Sequence, residues 1–357
     1  MTPSGFDQNY ALELVQVTER AAIAAAHWQG RADKEAVDQA AVDEMRLRLN
    51  AISLDGVVVI GEGEKDRAPM LHNGERVGSG SGAQVDIAVD PVDGTSLTAR
   101  GGPGALSVIA LAERGTMFSP GSLVYMDKLA VGPEAAGAID LEAPVSHNLE
   151  QVARAKGLDL DQLTVIVLER SRNQEYIRKI REVGARIRLI GDGDVSAAVA
   201  AARPETGIDV LMGIGGSPEA VIAAAAMRSM GGEIQTRLWA GTDKQRRYAA
   251  DHGLDLHRVM TTVDLVGGDE AYLAATGVTS GEFLRGVEFG HERAVTHSVT
   301  MQASTGAIRY ITTYHSLAER DRIRRTRART GAGQRRRRDR GGWSEPCSHR
   351  TLREPKL

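Results

Sequence analysis

Val85-Asp86-Ile87-Ala88-Val89-Asp90-Pro91-Val92-Asp93-Gly94-Thr95 is the stretch on which the fold turns. Val85 to Val89 reads as a strand, apolar residues alternating with Asp86 and Ala88. Asp90 then stands at its carboxyl end. Pro91 is expected to stop the ladder and fix a turn that brings Asp93 back beside Asp90. Gly94 permits a backbone conformation that other residues resist, and the residues after it can open a helix whose free N–H groups suit a phosphate. Two carboxylates beside such a turn repel each other unless divalent cations lie between them. Hard oxygen donors of this kind select Mg2+ or Mn2+ over zinc.

Outward from this stretch the chain alternates helices and strands. Helices are expected over Asp7 to Gln29 and Asp33 to Ile52, and strands over Val57 to Ile60, Leu106 to Leu111 and Leu123 to Val131. The second half predicts strands at Leu163 to Leu168, Arg186 to Ile190 and Ile208 to Met212. Its helices fall at Asn173 to Val183, Val195 to Ala202 and Pro218 to Met230. Three times a strand delivers a Gly-, Asp- or Glu-rich segment onto a helix start: Gly61-Glu62-Gly63-Glu64, Gly191-Asp192-Gly193-Asp194 and Gly213-Ile214-Gly215-Gly216. Ligand sites of open α/β sheets lie at such strand ends. Pro218 stands where a dinucleotide fingerprint needs its third glycine, so Gly213-Ile214-Gly215 does not carry that function.

Several side chains in these segments read two ways. Asp38 shares its helix face with Ala41, Val42, Met45 and Leu49, so it is either a cation ligand or a solvated carboxylate on a partly buried face. Arg170 and Arg172 can each fork two hydrogen bonds to a phosphate, or form a solvated basic turn. One of Asp192 and Asp194 is expected to cap the following helix, leaving the other for hydroxyl groups. Ser217 and Pro218 read as N-cap and first helical residue, and Glu219 then suits the positive helix end even without a ligand.

Composition narrows the setting. With 42% hydrophobic and 25% charged residues the 357-residue chain is of ordinary globular type, and its 40 glycines suit an α/β fold with many turns. A single cysteine, Cys347, excludes an intramolecular disulfide and a cysteine-based zinc cluster, and favours a reducing, cytoplasmic setting. The N-terminus has no secretory pattern, and no apolar run is long enough to span a bilayer. Residues 321–357 hold 13 Lys and Arg against 4 Asp and Glu, a balance of +9 that leaves −12 for residues 1–320. Arg335 to Arg338 fall in this basic, aliphatic-poor tail, which is expected to be disordered. Without interleaved aromatics it does not make a convincing nucleic-acid arm.

Asp90-Pro91-Val92-Asp93-Gly94-Thr95 resembles the signature of the lithium-sensitive, metal-dependent phosphatases, which include inositol monophosphatases and fructose-1,6-bisphosphatases. Over roughly residues 8 to 318 the pattern is similar to class II fructose-1,6-bisphosphatase. Matching blocks include Gly30-Arg31-Ala32-Asp33-Lys34, Val59-Ile60-Gly61-Glu62-Gly63-Glu64, Ala68-Pro69-Met70-Leu71, Asp192-Gly193-Asp194-Val195, Gly213 to Glu219 and Ala275-Thr276-Gly277-Val278. The resemblance implies a layered α/β/α/β/α sandwich of two sheet-and-helix halves, expected here as residues 1–140 and 141–320. It implies one cation on Asp38 and Glu62 and a second on Asp90, Asp93 and Glu219. Some class II enzymes have Glu in place of Asp93; Asp also fits the wider superfamily.

Substrate contacts implied by the same resemblance fall on Asp93, Gly94 and Thr95, on Tyr125, on Arg170, Ser171 and Arg172, on Asp192, Gly193 and Asp194, and on Gly216. The family's usual Lys-Pro-Arg or Arg-Pro-Arg is here Arg170-Ser171-Arg172, a departure that bears on substrate affinity and not on chemistry. The implied reaction is metal-assisted hydrolysis of fructose 1,6-bisphosphate in gluconeogenesis, Thr95 with Glu62, Glu64 or Asp66 orienting or deprotonating the attacking water. A sugar bisphosphate is the expected small-molecule partner, in a homo-oligomeric enzyme. The alternatives are an inositol-monophosphatase-like enzyme and a broader sugar bisphosphatase that also takes sedoheptulose 1,7-bisphosphate.

Overall fold

The computed structural model describes residues 9–63 and 70–316. Glu64, Asp66 and the basic tail therefore lie outside the described residues. Residues 9–63, 70–288 and 295–313 pack as one unit, which carries the residues of the site; residues 289–294 and 314–316 belong to a second, small unit.

Two sheets organise the main unit. In the larger, of eight strands among the described residues, the central order is Ala271–Gly277, Leu106–Glu113, Ala83–Asp93, Leu54–Ile60 and Arg76–Val77. Ala83–Asp93 runs parallel to Leu54–Ile60 and antiparallel to Leu106–Glu113. The five-stranded sheet has the order Arg186–Ile190, Thr164–Leu168, Val210–Gly216, Tyr125–Val131 and Glu233–Leu238. The chain thus leaves the first sheet before Tyr125 and returns to it at Ala271.

Between the sheets lie two alanine-rich helices, Asp194–Ala201 and Ser217–Met230. Both are buried almost all round, as a helix between two apolar faces must be. Their short side chains pack on Ala88, Val108 and Ala110 of one sheet and on Met126, Ala130 and Leu211 of the other. The outer face of the larger sheet is covered by Ala11–Ala26 and Lys34–Leu49, through Leu14, Val17, Met45 and Leu49. Asp33 begins the second of these helices by accepting a hydrogen bond from Ala36 N–H at 2.9 Å. The outer face of the smaller sheet is covered by Val145–Lys156 and Gln174–Val183, which bury Leu149, Val152, Ile177 and Ile180. The order of layers is α/β/α/β/α, the sandwich expected of the chain.

Two expectations about strand ends need correction. Pro91 does not stop its strand, which runs from Ala83 through Asp93. The pairing with Leu106–Glu113 instead shifts register between Asp90↔Val108 and Asp93↔Leu106. Such a bulge inserts residues without ending the strand, and a proline is tolerated there because the ladder is already interrupted. Likewise Gly213-Ile214-Gly215-Gly216 is not a loop after a strand but the end of the Val210–Gly216 strand, paired with Tyr125–Lys128. Its glycines serve clearance: a Cβ on Gly215 would meet Asp194 Oδ2 at 1.9 Å, and one on Gly216 would meet Glu219 Oε2 at 1.8 Å. Bare backbone lets two carboxylates lie directly against the strand.

Among the described residues no helix is long and apolar enough to cross a membrane.

Candidate active site

The bulged strand end sets the geometry. Asp90 accepts from Val92 N–H at 3.0 Å across the bulge, and Asp93 is buried. Gly94 follows at φ 95°, which a side chain resists, and the short helix Thr95–Arg100 begins at once. Thr95 Oγ1 lies 2.7 Å from Asp38 Oδ1 and 3.0 Å from the Val92 carbonyl, so its single proton is held between two acceptors. Asp38 is half-buried on the Lys34–Leu49 helix. Glu62 follows Leu54–Ile60 in a segment pinned by Gly61 N–H to Asn73 Oδ1 at 2.9 Å and by Glu62 N–H to the Leu71 carbonyl at 2.9 Å.

Glu219 stands in the first turn of Ser217–Met230. Gly216, not Ser217, is the N-cap residue; Ser217 is already helical, because the strand runs on to Gly216. Neither Asp192 nor Asp194 caps the Asp194–Ala201 helix. Gly193, at φ 96°, occupies the cap, Asp192 Oδ1 accepts from Gly193 N–H, and Asp194 Oδ2 is taken by Lys128 Nζ at 2.7 Å and Gly216 N–H at 3.0 Å. A buried ammonium outbids the helix end as a partner for the carboxylate.

Two clefts of about 310 Å³ each meet at Val124, Pro218 and Glu219. The first is lined by Glu62 and Asp90; the second by Tyr125, Arg170, Arg172, Asp192, Asp194 and Gly216. In the second, the Arg172 guanidinium lies over the Tyr125 ring at 4.2 Å, and its Nε donates to the Ile214 carbonyl at 3.0 Å. Among the described residues no carboxylate comes within ion-pair distance of Arg170 or Arg172, although the charge of Arg170 acts on Asp192. Asn173 anchors this turn. It donates to the Leu168 and Ile214 carbonyls at 3.0 and 3.1 Å and accepts from Ile214 N–H at 2.7 Å, stapling the arginine turn to the neighbouring strand.

The electrostatics of the carboxylates are uniform in direction. Burial, then the charges of Asp93, Glu219, Glu62 and Asp38, pushes Asp90 well above the usual carboxylate range. Burial, then Glu219, Asp194 and Asp192, does the same to Asp93, against the opposing pull of Lys128. Glu219 and Asp192 are raised chiefly by burial, as is Asp38 despite its bond from Thr95. Glu62, solvent-exposed as a residue, has its carboxyl crowded enough for desolvation and the charge of Asp38 to raise it to about 7. Asp93 Oδ2 and Glu219 Oε2 are buried with no hydrogen-bond partner. Orphaned, mutually repelling oxygens are what a hard divalent cation satisfies, so the donor chemistry fits such an ion. Among the described residues, however, no three His, Cys, Asp or Glu side chains are arranged closely enough to hold a metal ion as they stand.

Two residues near the site escaped the sequence reading. Lys34 begins the Asp38 helix, and its charge acts on both Asp38 and Asp192. Lys128 interrupts an apolar strand and is buried. A lone lysine inside such a run was the available signal.

The profile of "Bacterial fructose-1,6-bisphosphatase, glpX-encoded" matches residues 8–315. The chain is 40% identical over 324 residues to "Fructose-1,6-bisphosphatase 1 class 2" of Escherichia coli K12, covering 87% of this chain and 96% of that protein. The same figures hold for "Fructose-1,6-bisphosphatase class 2" of Shigella flexneri. Among solved structures, the extragenic suppressor protein suhB of Bartonella henselae matches 55% of this chain and 74% of its own at 16% identity, with a TM-score of 0.32, too slight a likeness to argue from. The profile match and the 40% identity over nearly the whole body place this chain in the bacterial, glpX-encoded family of class II fructose-1,6-bisphosphatases.

Proposed function

We propose that the two clefts divide the labour of a bisphosphatase, the carboxylate side holding the reacting phosphate and the arginine side holding the other. As a member of its family the chain is a phosphoric monoester hydrolase that converts fructose 1,6-bisphosphate to fructose 6-phosphate and phosphate in gluconeogenesis. The observation that carries the division is that Glu219 lines both clefts while Arg170 and Arg172 line the second alone, neither in an ion pair among the described residues. Two phosphates joined by a sugar suit a site with a carboxylate-rich end and a cationic end.

Enzymes of this family require divalent metal ions. Here Asp38 and Glu62 would hold one ion, and Asp90, Asp93 and Glu219 a second, with Mg2+ or Mn2+ suited to so many hard oxygens. Bound there, the ions supply charge neutralisation at the phosphate and a lowered pKa for the attacking water. Thr95, held by Asp38, orients that water, and Glu62, Glu64 or Asp66 accepts its proton. Gly94 and Thr95 give their backbone to the reacting phosphate. Tyr125 and Gly216 bound the sugar, Asp192 to Asp194 offer acceptors to its hydroxyls, and Arg170 to Arg172 grip the far phosphate. A reducing, cytoplasmic setting suits the single cysteine.

The test is substrate preference. Phosphate release from fructose 1,6-bisphosphate should exceed that from inositol 1-phosphate by at least about tenfold in kcat/KM, the worth of one well-placed charged contact. Equal rates would remove the role given to the arginine end. Sedoheptulose 1,7-bisphosphate in the same series separates a strict from a broader bisphosphatase.

A further inference from the structure

Among the described residues Lys128 is the only buried lysine or arginine, 2% exposed, in the middle of the Tyr125–Val131 strand. Its ammonium lies 2.7 Å from Asp194 Oδ2, which also accepts from Gly216 N–H at 3.0 Å. The pairing joins three elements that meet at the arginine-side cleft: Lys128 on one strand, Gly216 at the end of the next and Asp194 at the start of a helix between the sheets. One oxygen of the carboxylate is therefore fixed by two donors. The other, Oδ1, is buried and has no hydrogen-bond partner, although Asp194 lines the cleft.

A buried ion pair is a poor device for stability, since desolvating both charges offsets much of their attraction. A buried acceptor without a donor adds a further cost. Both features make sense if the second oxygen takes its donor from a ligand. The glycine at 215 supports this reading, because a Cβ there would strike Asp194 Oδ2 and come within 3.0 Å of Lys128 Nζ. The strand thus keeps bare backbone where the pair must lie.

We infer that Lys128 is a positioning residue for sugar recognition: it locks one oxygen of Asp194 so that the other is presented to a hydroxyl of the sugar bisphosphate. Toward the sugar it acts through Asp194; its charge also offsets the burial of Asp93 and Glu219. The inference rests on the assignment of the second cleft to the sugar and far phosphate.

The experiment compares wild type, Lys128→Met, Asp194→Asn and the double variant, each with saturating Mn2+. The readouts are kcat and KM for fructose 1,6-bisphosphate and calorimetric binding of fructose 6-phosphate. Lys128→Met and Asp194→Asn should each raise KM and weaken product binding by about tenfold, with kcat falling by less than about threefold. The double variant should match Asp194→Asn alone, because the lysine has no route to the sugar except through that carboxylate. Wild-type KM in Lys128→Met, or a fall confined to kcat, overturns the inference. So does a double variant about tenfold weaker than Asp194→Asn. If Lys128→Met leaves an unpaired buried carboxylate and does not fold, the comparison of the double variant with Asp194→Asn still decides. A wild type inactive on fructose 1,6-bisphosphate contradicts the assigned reaction itself, which is a separate failure.

Discussion

Thr95 Oγ1 donates to Asp38 Oδ1 at 2.7 Å, tying the residue after the bulged strand to a helix 57 positions earlier in the chain. The contact fixes the hydroxyl where the strand end, the Asp38 helix and the Glu62 segment come together. A threonine so held can orient a water without moving itself. Thr95→Val keeps the shape and removes the hydroxyl; kcat should fall by about 10²–10³-fold, with the thermal midpoint little changed. Steady-state kinetics beside a melting curve checks this, and a loss of less than threefold would put the orienting group elsewhere.

Asp90→Asn should abolish turnover and leave the fold intact. The amide preserves the acceptor for Val92 N–H but removes a charge from a group crowded by Asp93, Glu219, Glu62 and Asp38. Relief of that repulsion should even raise the thermal midpoint of protein stripped of metal. Near-normal turnover of this variant at saturating Mn2+ would contradict the role of Asp90 as a ligand.

Arg172→Ala should raise KM for the bisphosphate by at least about tenfold while kcat changes by less than about threefold. A grip on the non-reacting phosphate is made equally in ground and transition states. The ring of Tyr125 and the Ile214 carbonyl hold the guanidinium ready before substrate arrives. A fall in kcat alone would move Arg172 to the reacting centre.

The raised carboxyl pKa values also predict how stability depends on pH and metal. A carboxyl with a folded pKa above its unfolded value keeps its proton longer in the native protein. Its contribution to stability is present at low pH and lost as pH rises through the folded value; for Glu62 that window runs from 4.5 to about 7. Asp90, Asp93 and Glu219 act in the same direction. Divalent cations favour the ionised forms, so the gain in thermal midpoint on adding Mn2+ should grow from pH 5 to pH 8. Melting curves with chelator and with Mn2+ across that range give the answer; a gain that is flat or shrinks with pH contradicts the shared carboxylate site.

Much of this was legible in the sequence because it is local. The apolar strands at Leu106–Glu113 and Thr164–Leu168, the helices at Asp194–Ala201 and Ser217–Met230, and the DPVDGT block needed only neighbours to be read. What failed depended on residues far away. Pro91 reads as a stop unless one knows that Leu106–Glu113 already shifts register beside it. Gly213 to Gly216 read as a loop because the clearance they give serves Asp194 and the folded-back Glu219 carboxylate. One of Asp192 and Asp194 is expected to cap the helix, but Lys128, 66 positions earlier, takes the Asp194 carboxylate. Asn173 stapling the arginine turn to Ile214 is likewise invisible until the strands pair.

The central claim is that the carboxylate cluster works by holding divalent cations against a sugar bisphosphate. Phosphate release from fructose 1,6-bisphosphate, measured on chelator-treated protein before and after Mg2+ or Mn2+ is restored, tests it most directly. The account predicts no turnover above background without metal and full recovery on adding either ion or both. Undiminished phosphate release from thoroughly stripped protein would contradict it, as would recovery with no dependence on Asp90.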